Sequence, residues 1–290
     1  MIYVIVGPTA SGKTEAACWL ARHLKAPLVN ADAFQVYKGM NIGTNKNLAE
    51  LSDITHYLFD LVEPKEGYTV AQYKLAFETL MKTLKPDVNP IVVVGGTGLY
   101  LKATLYDFPF EPIQKTVDMT SYQAMDTYPL YEVLQTMDPV AASTIHPNNR
   151  RRVLRAIEIK LTTGKRKSEI EASQSNHLRY PTQFFGLNPP RDEVYARINE
   201  RVLHMVEQGL FEEVKQLLTT TPERAYALDA IGYKQTIPFL KGLQTQTQTI
   251  EAIQQATRRY AKRQWTYFHN QLPVEWYPSL DAFKEVFLHG

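Results

Sequence analysis

The sequence predicts an α/β fold: a parallel sheet with helices on both faces, interrupted by a helical insertion domain. Three observations lead there. The apolar runs Ile2-Tyr3-Val4-Ile5-Val6 and Pro90-Ile91-Val92-Val93-Val94 have the near-continuous hydrophobicity of strands buried on both faces. Amphipathic helical patterns alternate with the strand patterns, as a parallel sheet requires. From about residue 107 to 183 no strand pattern appears, while prolines and short helical patterns do. Residues 1–106 and 184–290 therefore read as one discontinuous core domain, and 107–183 as the insertion.

Length and composition agree with this. A chain of 290 residues with 44% hydrophobic and 21% charged residues suits one α/β core plus an insertion. A single cysteine, Cys18, excludes a disulfide framework and a cysteine-rich zinc site, and it suits a reducing compartment. The first apolar run is too short for a signal or a membrane span, so a cytoplasmic protein without membrane contact is expected.

The chain is organised around Gly7-Pro8-Thr9-Ala10-Ser11-Gly12-Lys13-Thr14. This stretch follows the first strand and leads into a helix whose Ala17, Leu20, Ala21 and Leu24 share one face. Strand, glycine-bounded loop and helix form the context of a phosphate-binding loop. Glycines let successive N–H groups turn inward around an anion, and the helix start adds its unpaired amides and positive dipole end. Lys13 supplies charge to a phosphate, and the Thr14 hydroxyl is placed to hold Mg²⁺. The core is thus P-loop NTPase-like and binds a nucleotide or another diphosphate.

The remaining elements follow in order. Pro27–Ala31 is expected as the second strand, which puts Asp32 at the carboxyl edge where open α/β sheets bind ligands. A carboxylate there serves as a metal ligand, substrate clamp or general base, or simply caps a turn. His56–Val62 is expected as the third strand. Thr69, with Gln72 three residues on, starts a helix with Val70, Tyr73, Phe77, Leu80 and Leu84 on one face. The strand ending at Val94 is the most hydrophobic and hence central. It runs into Gly95-Gly96-Thr97-Gly98, which lacks dinucleotide-fingerprint spacing and brings backbone close to a ligand or, more simply, a packed helix. A strand resumes at Gln183–Leu187, followed by one long helix from about Arg191 to Leu218. There Arg197 and Arg201, at i and i+4, either point together at the phosphate site or form surface pairs with Glu193 or Glu200. The Gln244–Thr249 tract reads as a surface loop.

Two basic segments stand out. His146–Lys160, followed by Lys165-Arg166-Lys167, carries a Val153, Ile157, Leu161 stripe, with Arg151, Arg152 and Arg155 on other faces. Thr257–Phe268 interleaves Arg258, Arg259, Lys262 and Arg263 with Tyr260, Trp265 and Tyr267. Clustered cations suit a polyanion, and the aromatic interleaving suits base stacking.

With these residues in place, the sequence resembles the bacterial tRNA dimethylallyltransferases, also called tRNA isopentenyltransferases. The likeness covers nearly the whole chain. It includes Gly7–Thr14, Asn30–Tyr37 with Gly39-Met40 and Ile42-Gly43-Thr44, Gly95–Tyr100, His146-Pro147-Asn148 with Arg150–Arg152 and Arg155-Ala156, Ala230-Ile231-Gly232-Tyr233, and Arg259–Gln264. Ala33 stands where members commonly have Ser, and Tyr267 and His269 where they have Trp and Arg. Neither change removes a group the chemistry needs. The resemblance implies transfer of a dimethylallyl group from dimethylallyl diphosphate to the exocyclic amine of the adenine 3′ to the anticodon, in tRNAs reading codons that begin with U.

That resemblance implies the following roles. Gly7, Pro8, Thr9, Ala10, Ser11, Gly12, Lys13, Thr14 and Arg197 bind the diphosphate, with Mg²⁺ on Thr14. Lys13, Thr14 and Arg201 neutralise the leaving group, and Asp32 accepts the amine proton. Asp32, Ala33, Phe34, Gln35 and Thr97 contact the base flipped from the anticodon loop. Arg151, Arg152, Val153, Leu154 and Arg155 hold that loop on the insertion, and Arg259 and Arg263 add further contacts. The protein is expected to act as a monomer. Two other classes share the phosphate loop: a small-molecule kinase, which would use it for ATP, and a nucleotide-regulated RNA-binding protein, which would yield no product.

Overall fold

Strand β1 (Ile2–Val6) leads through the glycine-bounded loop into helix α1 (Lys13–Leu24), and β2 (Leu28–Asn30) and β3 (His56–Tyr57) follow. The computed structural model describes residues 1–110 and 115–288. Residues 111–114, which fall in the expected insertion, and 289–290 lie outside the described residues. The chain continues through α2 (Val70–Leu84), β4 (Ile91–Val94) and α3 (Gly98–Leu105). Five helices come next: α4 (Thr120–Ala124), α5 (Thr127–Met137), α6 (Pro139–Thr144), α7 (Arg150–Thr163) and α8 (Lys167–Ala172). Then come β5 (Thr182–Leu187), α9 (Arg191–Glu207), α10 (Leu210–Leu217), α11 (Tyr233–Leu240), α12 (Gln246–Gln271), β6 (Val274–Tyr277) and α13 (Leu280–Leu288).

All six strands pair in parallel, in the order β3-β2-β4-β1-β5-β6. Ile91–Val94 is completely apolar and lies between β2 and β1, the interior place its composition predicts. The register aligns Ile5 and Asn30 with Val94, so the segments after β1, β2 and β4 leave the sheet at one edge. Ala16, Ala17, Leu20 and Ala21 of α1 pack with Ile5, Leu28, Val92 and Phe185 in one buried cluster. Helix α2 starts at the expected capping box, Thr69 with Gln72, and buries Tyr73, Phe77 and Met81. The Tyr73 hydroxyl donates to the Asn30 carbonyl at 2.6 Å, which ties this helix to the end of β2.

Contacts divide the described chain into two compact units. Met1–Leu105 with Leu178–Gly290 forms the sheet-bearing unit, and Tyr106–His177 the helical one. The helical unit has its own core, in which Leu130, Leu134, Ala142, Val153 and Ile157 are buried. Its buried Asp138 caps α6 through Ala141 N–H at 3.0 Å and accepts from the Ser168 hydroxyl at 2.6 Å, joining α6 to α8. No helix among the described residues is long and apolar enough to cross a membrane.

Three local expectations are corrected. The strand expected over His56–Val62 stops at Tyr57, because Leu58 (φ 63°) and Asp60 (φ 49°) are left-handed and leave the extended path. The long helix from Arg191 divides at Gly209 (φ 98°) into α9 and α10. The Gln244–Thr249 tract is not a loop: Thr245 caps α12 and accepts from Gln248 N–H at 3.2 Å. The carboxyl end adds a sixth strand and a last helix, α13, whose Phe283 is buried in the α1 cluster.

Candidate active site

The sheet-bearing unit holds a cavity of about 870 Å³ above the carboxyl edge of the strands. Thr9, Lys13 and Thr14 line it from the loop, Asp32 and Gln35 from the segment after β2, and Arg201 from α9. Tyr260, Arg263 and Gln264 close it from α12.

The loop is built as an anion cradle. Gly12 (φ 92°) and Ala10 (φ 64°) take left-handed backbone conformations, and Gly12 is the N-cap of α1. The first amides of α1, at Lys13 and Thr14, have no intrahelical acceptor. Ser11 Oγ is buried with no hydrogen-bond partner, an orphaned donor inside the loop. Lys13 Nζ donates to the Pro8 carbonyl at 3.3 Å. Burial and the Arg201 guanidinium lower its pKa to about 8, and the nearby Asp32 carboxylate works in the opposite direction. Burial also holds Arg201 below its ordinary value. Two cations thus face one cavity, an arrangement that an incoming polyanion relieves.

Asp32 serves two purposes at once. Its Oδ1 accepts from Phe34 N–H at 2.9 Å, the turn geometry of an aspartate after a strand. It also lies in the cavity wall, close enough to Lys13 and Tyr260 to influence both. Asn30 Oδ1 accepts the Asp32 amide at 2.9 Å, and Thr97 Oγ1 accepts the Ala33 amide at 3.0 Å, so the segment is fixed from two sides. Phe34 stacks on Tyr226 with ring centroids 5.8 Å apart, and Gln35 Nε2 donates to the Thr44 carbonyl at 3.0 Å. The glycine segment after β4 takes its simpler reading. A Cβ at Gly96 would meet the Gln264 side chain at 2.1 Å, and one at Gly98 the Tyr267 ring at 2.0 Å, so these glycines admit helix α12.

Two expected residues lie elsewhere. Arg197 is exposed and pairs with Glu193 at 3.1 Å, one turn back on α9, whereas Arg201 enters the cavity. The four-residue spacing does not bring both to one place, because the helix face with Val194 and Ile198 is buried and Arg197 sits at its solvent edge. In the helical unit, Val153 is fully buried in the core, so its side chain is structural and not an RNA contact. Arg151, Arg152 and Arg155 are exposed on α7, with Arg155 bonded to Glu158 at 2.8 Å, and Leu154 packs partly against that core. Arg259 is exposed on α12, and Arg263 lies over the Tyr260 ring at 5.6 Å.

The sequence pattern did not reveal Gln264. It is buried on α12 between Ala261 and Phe268, accepts the Thr9 amide at 2.8 Å and donates to the Gly96 carbonyl at 3.0 Å. A lone polar residue on an otherwise apolar helix face was the available signal.

Comparison with known proteins agrees with this geometry. Residues 35–271 match the family model described as IPP transferase. The chain belongs to the IPP transferase family. A tRNA dimethylallyltransferase of Anoxybacillus flavithermus is 41% identical over 97% of this chain and 91% of its own length. That of Bacillus subtilis is 37% identical over 99% and 96%. The solved tRNA isopentenylpyrophosphate transferase of Staphylococcus epidermidis superposes with a TM-score of 0.72 at 35% identity, covering 99% of this chain and 97% of that one. A eukaryotic dimethylallyltransferase captured acting on tRNA gives a TM-score of 0.81 at 30% identity, over 95% of this chain and 73% of that one. As an IPP transferase, the chain carries its cavity in the sheet-bearing unit and its basic helix α7 in the helical one.

Proposed function

We propose that the protein transfers the dimethylallyl group of dimethylallyl diphosphate to the exocyclic amine of the adenine 3′ to the anticodon, in tRNAs that read codons beginning with U. The observation that carries this reading is the placement of Lys13 beside both Arg201 and Asp32 on one cavity of an IPP transferase. The reaction breaks the allylic carbon–oxygen bond and forms a carbon–nitrogen bond. Diphosphate leaves with the bonding electrons, and the amine loses a proton. Lys13, Arg201 and the loop amides take the charge developing on the leaving oxygens. The Asp32 carboxylate, with Oδ1 engaged by Phe34, takes the proton.

A magnesium ion fits the donor set. The Thr14 hydroxyl, which lines the cavity with Lys13, would hold it together with oxygens of the diphosphate and water. When bound, it would add positive charge at the leaving diphosphate. The anticodon stem-loop is the acceptor, its backbone held by Arg151, Arg152 and Arg155 and by Arg259 and Arg263. We further propose that the protein acts as a monomer, and a tRNA substrate supports a cytoplasmic location. The test is release of inorganic diphosphate from dimethylallyl diphosphate. The reading requires release that depends on tRNA and is stopped by EDTA. Consumption of ATP with dimethylallyl diphosphate ignored would replace it with the kinase reading.

A further inference from the structure

Glu213, on α10, collects hydrogen bonds that the proposed chemistry does not use. Its Oε2 accepts the N–H groups of Asn41 at 3.0 Å and Ile42 at 2.9 Å. Its Oε1 accepts Gly43 N–H at 3.2 Å and the Tyr233 hydroxyl at 2.5 Å. Three successive amides turned on one carboxylate form a nest, with an internal side chain as the anion. The turn has no spare room, because a Cβ at Gly43 would lie 2.3 Å from the Tyr233 ring. Buried Lys46 fixes the far end of the segment by donating to the Tyr37 carbonyl at 2.7 Å and pairing with Asp60.

Glu213 stands behind this turn, while Gln35, Ile42 and Thr44 line the cavity. The Thr44 carbonyl takes Nε2 of Gln35 at 3.0 Å, and Gln35 Oε1 has no acceptor role within the protein among the described residues. We infer that Glu213 is a positioning residue for the acceptor. By holding the 41–43 turn it fixes the Thr44 carbonyl, which engages the donor end of Gln35 and leaves the carboxamide oxygen to accept from an amino group of the anticodon-loop bases. The inference rests on the tRNA reading above.

The test compares the wild-type protein with Glu213→Gln, Glu213→Asp and Tyr233→Phe, reading anticodon stem-loop affinity and the KM values of both substrates. In Glu213→Gln an N–H₂ group must face backbone N–H donors, so the turn is released. Stem-loop affinity should fall and tRNA KM rise roughly tenfold, the worth of one charge-assisted hydrogen bond. Donor KM, and kcat at saturating tRNA, should stay within about twofold. Glu213→Asp keeps the carboxylate and should recover part of the loss, while Tyr233→Phe removes one donor and should give a smaller rise in tRNA KM. Unchanged stem-loop affinity in folded Glu213→Gln overturns the inference, as does a parallel loss of both KM values and kcat. Should Glu213→Gln fail to fold, Tyr233→Phe decides, and an unchanged tRNA KM there overturns it. A wild-type protein that binds the stem-loop without forming prenylated product contradicts the proposed function and leaves the affinity comparison readable.

Discussion

The carboxamide of Gln264 accepts the backbone N–H of Thr9 at 2.8 Å, joining the phosphate loop to a helix that begins more than 200 residues later. Its other end donates to the Gly96 carbonyl at 3.0 Å. The neighbouring Thr97 accepts the Ala33 amide, so one chain of hydrogen bonds runs from the donor loop to the segment of Asp32.

Gln264→Leu should leave the Thr9 N–H without its partner and the Gly96 carbonyl with only the longer bond from the Tyr260 hydroxyl at 3.3 Å, a loss of about 1–3 kcal/mol. The expected outcome is a lower midpoint in thermal unfolding together with weaker donor binding. Gln264→Glu keeps the acceptor for Thr9 but loses the donor to Gly96 and brings negative charge toward the loop. It should bind dimethylallyl diphosphate less well than the Leu variant does. Equal donor affinity in all three proteins would contradict this linkage.

Lys13 makes donor binding pH-dependent. Burial and Arg201 lower its pKa to about 8 without donor, and a bound diphosphate raises it again. Affinity should therefore be flat below pH 8 and fall above it by up to roughly tenfold per pH unit, with proton uptake on binding. Calorimetry in buffers of different ionisation enthalpy reads both. For stability the sign is opposite to that of a salt-bridged lysine. The unfolded chain, with a Lys13 pKa near 10.5, holds the proton more tightly, so this group costs stability at pH 7 and the cost disappears as pH rises from 8 to 10.5. Lys13→Met should raise the unfolding midpoint at pH 7 while abolishing turnover.

Replacing Arg151, Arg152 and Arg155 together should weaken tRNA binding and flatten its salt dependence, by about 0.7–0.9 in slope for each lost phosphate contact. Donor affinity should be unchanged. Arg155 should contribute less than Arg152, since Glu158 already engages it at 2.8 Å. A triple variant with wild-type salt dependence would make this helix face merely solvated.

Much of the fold was legible locally. Ile2–Val6 and Ile91–Val94 announce buried strands, and Thr69 with Gln72 announces a helix start, because each signal lies within a few residues. His56–Val62 misled because nothing in its composition marks Leu58 and Asp60 as left-handed. Their conformations accompany distant contacts: Asn30 Nδ2 donates to the Leu58 carbonyl, and Asp60 pairs with Lys46. The brief strand at Val274–Tyr277 is half-exposed and carries Glu275, so its pattern is weak. In the site, the loop residues and Asp32 were readable from motif and position. Gln264 and Glu213 were not, since each acts on backbone 255 or about 170 residues away and only the packed helices bring them there.

Asp32 separates proton transfer from turn formation. Asp32→Asn preserves an acceptor for Phe34 N–H and has no basic oxygen. The single-turnover rate should fall roughly 10²–10⁴-fold with near-normal tRNA affinity. Asp32→Ala also loses the turn and should weaken tRNA binding in addition. An Asn variant with close to full single-turnover activity would remove the proton-acceptor role.

The central claim is prenyl transfer to one adenine of tRNA, and mass spectrometry of nucleosides tests it most directly. Unmodified tRNA incubated with the protein, dimethylallyl diphosphate and Mg²⁺ should yield N6-isopentenyladenosine on digestion, confined to the position 3′ of the anticodon. Neither omission of the donor nor Lys13→Met should give any. Adenosine left unmodified in a tRNA that the folded protein binds, with the donor intact, would contradict the account.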